Sequence, residues 1–206
     1  MRRHCRAVFF FIVGLAAVAS SSLPASAKVD QVSERGFVVR LTSDVPASPD
    51  EVWAELVKPS DWWDAEHSYS GDAANFWLEP RPGGCFCETL PGEGADATPK
   101  GGVEHMRVIY AERPRALRLV GSLGPLQSEA LVGTLTMQAK PIPGGGTRLM
   151  WEYVVGGYMR MPVDSISAAV DKVLAGQLGR LSAKLGRTEP PAAETSPAGK
   201  TEIIGR

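Results

Sequence analysis

Several functions need features that this chain lacks. It has no apolar run of the roughly 20 residues that a membrane-spanning helix needs. The longest run, AVFFFIVGLAAVA at residues 7–19, falls well short. No block of clustered Lys and Arg is interleaved with aromatics, which argues against nucleic-acid binding by phosphate neutralisation. There is no G-x-S-x-G elbow and no Ser-His-Asp order, so nothing points to a nucleophilic hydrolase. No internal repeat is present. Cysteine is scarce, at three residues, and Cys5 lies in the leader described next.

The N-terminus has the parts of a secretory signal. MRRHCR is basic, the apolar run follows, and SSSLPASA supplies small residues ending in an Ala25-Ser26-Ala27 cleavage pattern. Cleavage is expected after Ala27, with export to a periplasm-like or secreted destination. An uncleaved anchor is the competing reading. Cys5 precedes the apolar run and is not placed for lipid attachment. Loss of Arg2, Arg3 and Arg6 takes the 22 basic residues to 19 against 23 acidic ones, a net charge of -4. The remaining length suits one domain with a proper core. Residues 28–35 read as a lead-in, 36–186 as the domain and 187–206 as a disordered tail rich in Pro, Ala, Thr and Ser.

GFVVRLTSDV alternates and predicts a strand. Ser48, Pro49 and Glu51 then form a capping-box helix start, with Val52, Trp53, Leu56 and Val57 as its apolar face. Pro59 ends that helix, and SDWW begins a second short one. ANFWLEP, GCFCETL, GVEHMRVIYAE, ALRLVGSL, SEALVGTLTMQAK and TRLMWEYVVGG read as further strands separated by Gly- and Pro-rich turns. From Pro162 the period changes. Val163, Ile166, Val170, Val173, Leu174, Leu178, Leu181 and Leu185 mark one long amphipathic helix ending near Gly186. The expected class is α+β: a curved antiparallel sheet of about six to seven strands around a long C-terminal helix, with two short helices after the first strand. Ala168, Ala169, Ala175, Gly176 and Gly179 on the long helix fit either close helix–sheet packing or space left for a ligand.

This order resembles the START-like, or SRPBCC, superfamily with its helix-grip fold. The resemblance is carried by SPDEVWAELVKPSDWW, by EHSYSGDAANFWLEPRPGGCFCETLPGEG, by GGVEHMRVIYAERPRALRLVGSLGPLQ and by VDKVLAGQLGRLSAKL. These segments are similar to a bacterial branch related to the activator of the heat-shock chaperone ATPase. The resemblance implies a cavity between the sheet and the long helix that takes lipids, sterols, polyketides or other apolar molecules. It carries over no catalytic residue. The leader departs from the chaperone-activator pattern, whose members act inside the cell.

The stretch DWWDAEHSYSGD concentrates unusual chemistry. Trp62 and Trp63 suit either core packing or a pocket wall. His67 beside Glu66 and Asp72 could act as a general base, with Ser68 and Ser70 reading as turn residues. Cys85 and Cys87 share one strand face, and a hairpin brings His105 near them. Buried thiols, a C-x-C disulfide and a zinc site are all compatible with that set. A bridge there lies close to the upper distance limit, because residues two apart in a strand are nearly two rises apart. Arg107, Arg118, Glu104, Glu129 and Glu152 are expected in cross-strand pairs on the solvent face. Leu117, Leu119, Leu135, Met137, Leu149, Trp151 and Tyr153 should face the helix.

The functional expectation is an exported protein that binds a small hydrophobic ligand of the lipid or aromatic class, with no metal and no cofactor. The lining set comprises Trp62, Trp63, His67, Phe76, Leu78, Cys85, Cys87, His105, Leu117, Leu119, Leu135, Trp151, Tyr153, Leu174 and Leu178. Two alternatives stand beside it. One is a cyclase- or hydrolase-like cavity enzyme using His67 or His105 as acid or base. The other is a protein-interaction or chaperone-like module without a ligand. The loop from Pro91 to Gly102 is either a lid or a variable hairpin tip.

Overall fold

The computed structural model describes residues 29–92 and 98–187. The leader, nearly all of the C-terminal tail and the centre of the Pro91–Gly102 loop lie outside the described residues. No described helix is long and apolar enough to cross a membrane.

The described residues form one antiparallel sheet and two α-helices. Strands β1 (Val29–Ser33) and β2 (Gly36–Val45) precede helix α1 (Pro49–Leu56). After a run of short 3-10 turns come β3 (Phe76–Leu78), β4 (Cys85–Leu90), β5 (Gly101–Glu112) and β6 (Ala116–Gly121). Strands β7 (Ala130–Pro141) and β8 (Thr147–Tyr158) lead into helix α2 (Val163–Lys184). The order across the sheet is β1-β2-β8-β7-β6-β5-β4-β3. The strands β3 to β8 meander, and β2 closes onto β8.

Helix α1 starts where its cap residues dictate. The Ser48 hydroxyl accepts from the Glu51 amide at 3.4 Å, and the Glu51 carboxylate accepts from the Ser48 amide at 2.8 Å. Helix α2 ends at Leu185 and Gly186, where a φ of +87° favours glycine. It packs on β2 and β1, and Ser182 meets Ser43 at 2.7 Å in the buried seam. Inward positions alternate along each strand: Phe37 and Val39, Leu117 and Leu119, Leu135 and Met137, Leu149, Trp151 and Tyr153 are all buried. The expected core face is therefore in place. Of the charges expected in cross-strand pairs, Glu152 and Arg118 reach across strands, whereas Glu104 pairs with Arg107 on its own strand and Glu129, outside the strands, pairs with Arg160. Arg40 bridges Glu152 across β2 and β8 at 2.6 Å, and Arg118 donates to Thr136 across β6 and β7 at 3.0 Å.

Three expectations need correction. The sheet has eight strands, because part of the lead-in, Val29–Ser33, pairs with β2. The second short helix is instead a set of 3-10 turns at Pro59–Asp61, Ala65–His67 and Ala73–Asn75. Two consecutive tryptophans cannot both point to one side of an α-helix, since neighbours diverge by about 100°. An irregular path buries both. Most of the small residues of α2 face away from the sheet and from the cavity. Ala168, Ala169 and Gly176 are exposed, and a Cβ added at Gly176 or Gly179 would meet nothing within 4 Å.

Candidate functional site

The segment after α1 folds down over the inner face of the sheet. Trp62 and Trp63 are 5% and 6% exposed. The Trp62 indole donates to the Glu55 carbonyl at 3.1 Å, and that of Trp63 donates to the His67 carbonyl at 3.0 Å. Trp62 lies 5.9 Å from Trp151, ring to ring, and Trp63 meets Phe86 edge-on at 5.3 Å. Each such aromatic pair contributes about 0.5–1.5 kcal/mol beyond the area it buries. Helix α2 holds the segment from behind. Buried Gln177 accepts from the Asp64 amide at 2.9 Å, and Arg180 donates to the Trp62 carbonyl at 3.2 Å.

Beneath this segment is a small apolar cavity. Leu56, Pro59, Trp62 and Trp63 form its roof. Its floor is Leu78, Phe86, Leu119, Leu135, Met137 and Trp151. The room for the centre of a water-sized sphere is about 20 Å³, enough for a single water. Helix α2 contributes no lining residue, so the cavity lies under Leu56–Trp63 and not under the long helix. The one indole of the three without a partner is that of Trp151: its buried N–H has no acceptor among the described residues. A buried donor left without an acceptor costs about 1–3 kcal/mol.

A second buried constellation lies one layer away, beyond Phe86. Glu88 is 1% exposed and His105 is 3% exposed, and Nε2 of the histidine is 3.0 Å from the carboxylate. The carboxylate also accepts from the backbone amides of Tyr69, at 3.1 Å, and Ser70. Burial pushes the Glu88 carboxyl up, but the hydrogen bonds from Ser70, Tyr69 and His105 outweigh it and leave it below the ordinary value. Burial holds the His105 ring below its ordinary value against the pull of Glu88. The pair at neutral pH is thus a carboxylate accepting from a neutral imidazole. Phe76 stacks on that imidazole at 5.0 Å, and Phe86 lies 5.3 Å from it. The arrangement clamps the Tyr69–Ser70 turn to β4 and β5.

His105 faces inward because of a bulge. Phe86 pairs with Met106 and Cys87 with Glu104, so His105 is the extra residue of β5. Strict alternation would turn either His105 or Met106 outward, whereas the bulge buries both. Gly121 accommodates it on the neighbouring strand. A Cβ there, at a φ of +151°, would sit 2.6 Å from the His105 carbonyl oxygen.

Cys85 and Cys87 form a disulfide with a Cα–Cα distance of 5.4 Å. This is shorter than two extended rises. The sulfurs are on the outer face, opposite inward Phe86 and Glu88. They lie within 4.8 Å of a Glu104 carboxylate oxygen.

Of the residues expected at the ligand site, the fold brings Trp62, Trp63, Leu78, Leu119, Leu135 and Trp151 together around the cavity. Phe76 and His105 pack behind Phe86, outside the lining. Leu117, Leu174 and Leu178 are core residues away from it. Tyr153 is fully buried, accepts from the Leu123 amide at 3.3 Å, and has its hydroxyl pushed by burial up to about 12. Cys85 and Cys87 are on the wrong face for the cavity, since the inward positions of β4 are the even ones. His67 is exposed at the end of its turn, where its amide donates to the Asp64 carbonyl and its carbonyl accepts from Trp63. Leu56, Pro59, Phe86 and Met137 complete the lining and were not among the expected ligand residues. Phe86 was legible as the inward neighbour of two cysteines, once those are assigned outward.

No protein-family model and no curated protein matches the chain. The fold does have solved counterparts. A solution structure of a Thermobifida fusca protein superposes with a TM-score of 0.51 at 16% identity, covering 76% of this chain and 97% of that one. A Rhodobacter sphaeroides protein gives 0.48 at 20% identity, covering 77% and 96%. A Mesorhizobium loti protein gives 0.48 at 19% identity, covering 74% and 98%. The first of these supports a helix-grip-like α+β fold. At such identities the likeness extends to fold alone.

Proposed function

We propose that this is an exported protein of the START-like, SRPBCC type that binds a small apolar molecule carrying one hydrogen-bond acceptor. The ligand would sit between the Leu56–Trp63 segment and the sheet. The observations that carry this reading are the apolar cavity under three tryptophans and, on one of them, the buried Trp151 indole N–H without an acceptor among the described residues. An apolar pocket with few polar groups is the common form of a small-molecule site. Burial of the ligand's surface would drive binding at roughly 25 cal/mol per Å², offset by ordering costs. The cavity has room for one water-sized molecule, so a larger ligand enters by lifting the Leu56–Trp63 roof. The ties that must yield are Gln177 to Asp64 and Arg180 to Trp62.

Two probes of equal ring size test this reading: naphthalene and 2-acetylnaphthalene, titrated into the mature protein and followed by the tryptophan indole NMR signals. The ketone should bind about fivefold more tightly, from one hydrogen bond of about 1 kcal/mol. It should move the Trp151 indole proton, and Trp151→Phe should abolish the preference. If neither probe moves the signals of Trp62, Trp63 or Trp151, the site is a packing defect and the reading fails.

A further inference from the structure

The Cys85–Cys87 bridge does little for the fold. The stabilisation a cross-link provides grows with the loop it closes. This one spans a sequence separation of 2. The intervening Phe86 is already held by strand pairing to Leu78 and Met106 and by its aromatic neighbours. Yet the bridge is half-buried on the outer face and within reach of solvent.

Its surroundings suit sulfur chemistry. Cys85 is paired in register with Arg107, and Cys87 with Glu104 on one side and Trp77 on the other. The Arg107 guanidinium is fixed between the Gly83 carbonyl, at 3.1 Å, and the Glu104 carboxylate. It thus offsets the Glu104 carboxylate that lies near the sulfurs, from the position cross-strand from Cys85. A cation beside a cysteine favours its thiolate, and a better-stabilised thiolate leaves faster in exchange. Trp77 is 43% exposed and presents an apolar surface to an incoming chain. It belongs to β3, the edge strand of the sheet, so nothing lies beyond it in the sheet order.

We propose that Cys85–Cys87 is a redox-active disulfide that oxidises peptide dithiols by thiol–disulfide exchange. A substrate thiolate attacks the Cys87 sulfur, the S–S bond breaks, and Cys85 departs as a thiolate beside Arg107 and takes up a proton. The substrate's second thiolate then attacks its own sulfur in the mixed disulfide and releases Cys87, which is protonated in turn. The substrate loses two electrons and two protons and gains a disulfide. The protein gains both as two thiols, and oxidised glutathione restores it by the reverse steps.

The test uses the mature protein, a synthetic peptide bearing a Cys-x-x-Cys pair, and oxidised glutathione as terminal oxidant, with products followed by mass. Wild-type protein should turn over many equivalents of peptide. The double variant Cys85→Ser/Cys87→Ser should show the uncatalysed rate, and Arg107→Met should slow turnover several-fold. Reduction should leave the melting temperature nearly unchanged. Three results would each overturn the proposal. One is equal peptide oxidation by wild type and the double variant. Another is a large drop in melting temperature on reduction, which makes the bridge a structural staple. The third is stoichiometric zinc capture by reduced Cys85, Cys87 and Glu104 without peptide turnover.

Discussion

Glu88 shows how one buried side chain can decide behaviour in acid. Its carboxyl and the ring of His105 both sit below their ordinary values of 4.5 and 6.5 in the folded protein. The unfolded chain therefore binds protons that the folded one refuses. Stability supplied by the pair is present above pH about 6.5 and falls as pH drops, first through His105 and then, below about 4.5, through Glu88. Urea unfolding at pH 7, 5.5 and 4 should show this decline in the parent. Glu88→Gln should cost about 2–3 kcal/mol at pH 7, because two backbone amides and an imidazole lose a charged acceptor. The variant's curve should be flatter below pH 5. A parallel pair of curves would show that acid acts elsewhere. Nothing in residue spacing announced this pair. His105 was visible as a candidate acid or base, but Glu88 stood in an ordinary alternation, and the bulge that joins them has no sequence signature here.

At the scale of elements, legibility followed the strength of local chemistry. The capping box of α1 and the helical spacing of α2 were readable because each depends on near neighbours. Strand β1 is hard to read because VDQVS is short, mostly exposed and paired with β2 on one side only. The cysteines were set on the cavity side because period two says only that they share a face, not which face. For α2, the open space around Gly176 and Gly179 gives a direct expectation. Gly176→Ala and Gly179→Ala should each raise stability by about 0.5–1 kcal/mol, since helix propensity improves and no atom is displaced. Thermal melts of the single and double variants check this. A loss of stability would mean that the helix face is covered by a partner in solution.

Across the whole molecule, order should grade from the middle of the sheet outward. Strands β7 and β8 pair along their full lengths, and β8 pairs with β2 from Thr147 to Gly156. At the far edge β3 contributes only Phe76–Leu78. Hydrogen exchange should accordingly be slowest in β2, β7 and β8 and fastest in β1 and β3. Equal protection of β3 and β8 would contradict that gradient. The same order explains why the fold class was legible although its sites were not. A run of alternating strands followed by one apolar-striped helix has few ways to bury itself. The choice of which inward residues enclose a void depends on the path of an irregular turn at Pro59–His67.

The pairing of β2 with β8 also sets a schedule. Arg148 on β8 bonds to Asp44 on β2 across a sequence separation of 104. The first hairpin, β1–β2, must therefore wait with one side unpaired while the chain from α1 to β7 is made. Contacts so far apart in sequence form late and slowly. A chain arrested anywhere before Thr147 would carry an open strand edge and no α2 to cover it. Synthesis would yield an adhesive intermediate until its last third emerged. A holding factor that shields β2 during that interval is the assistance such a topology calls for.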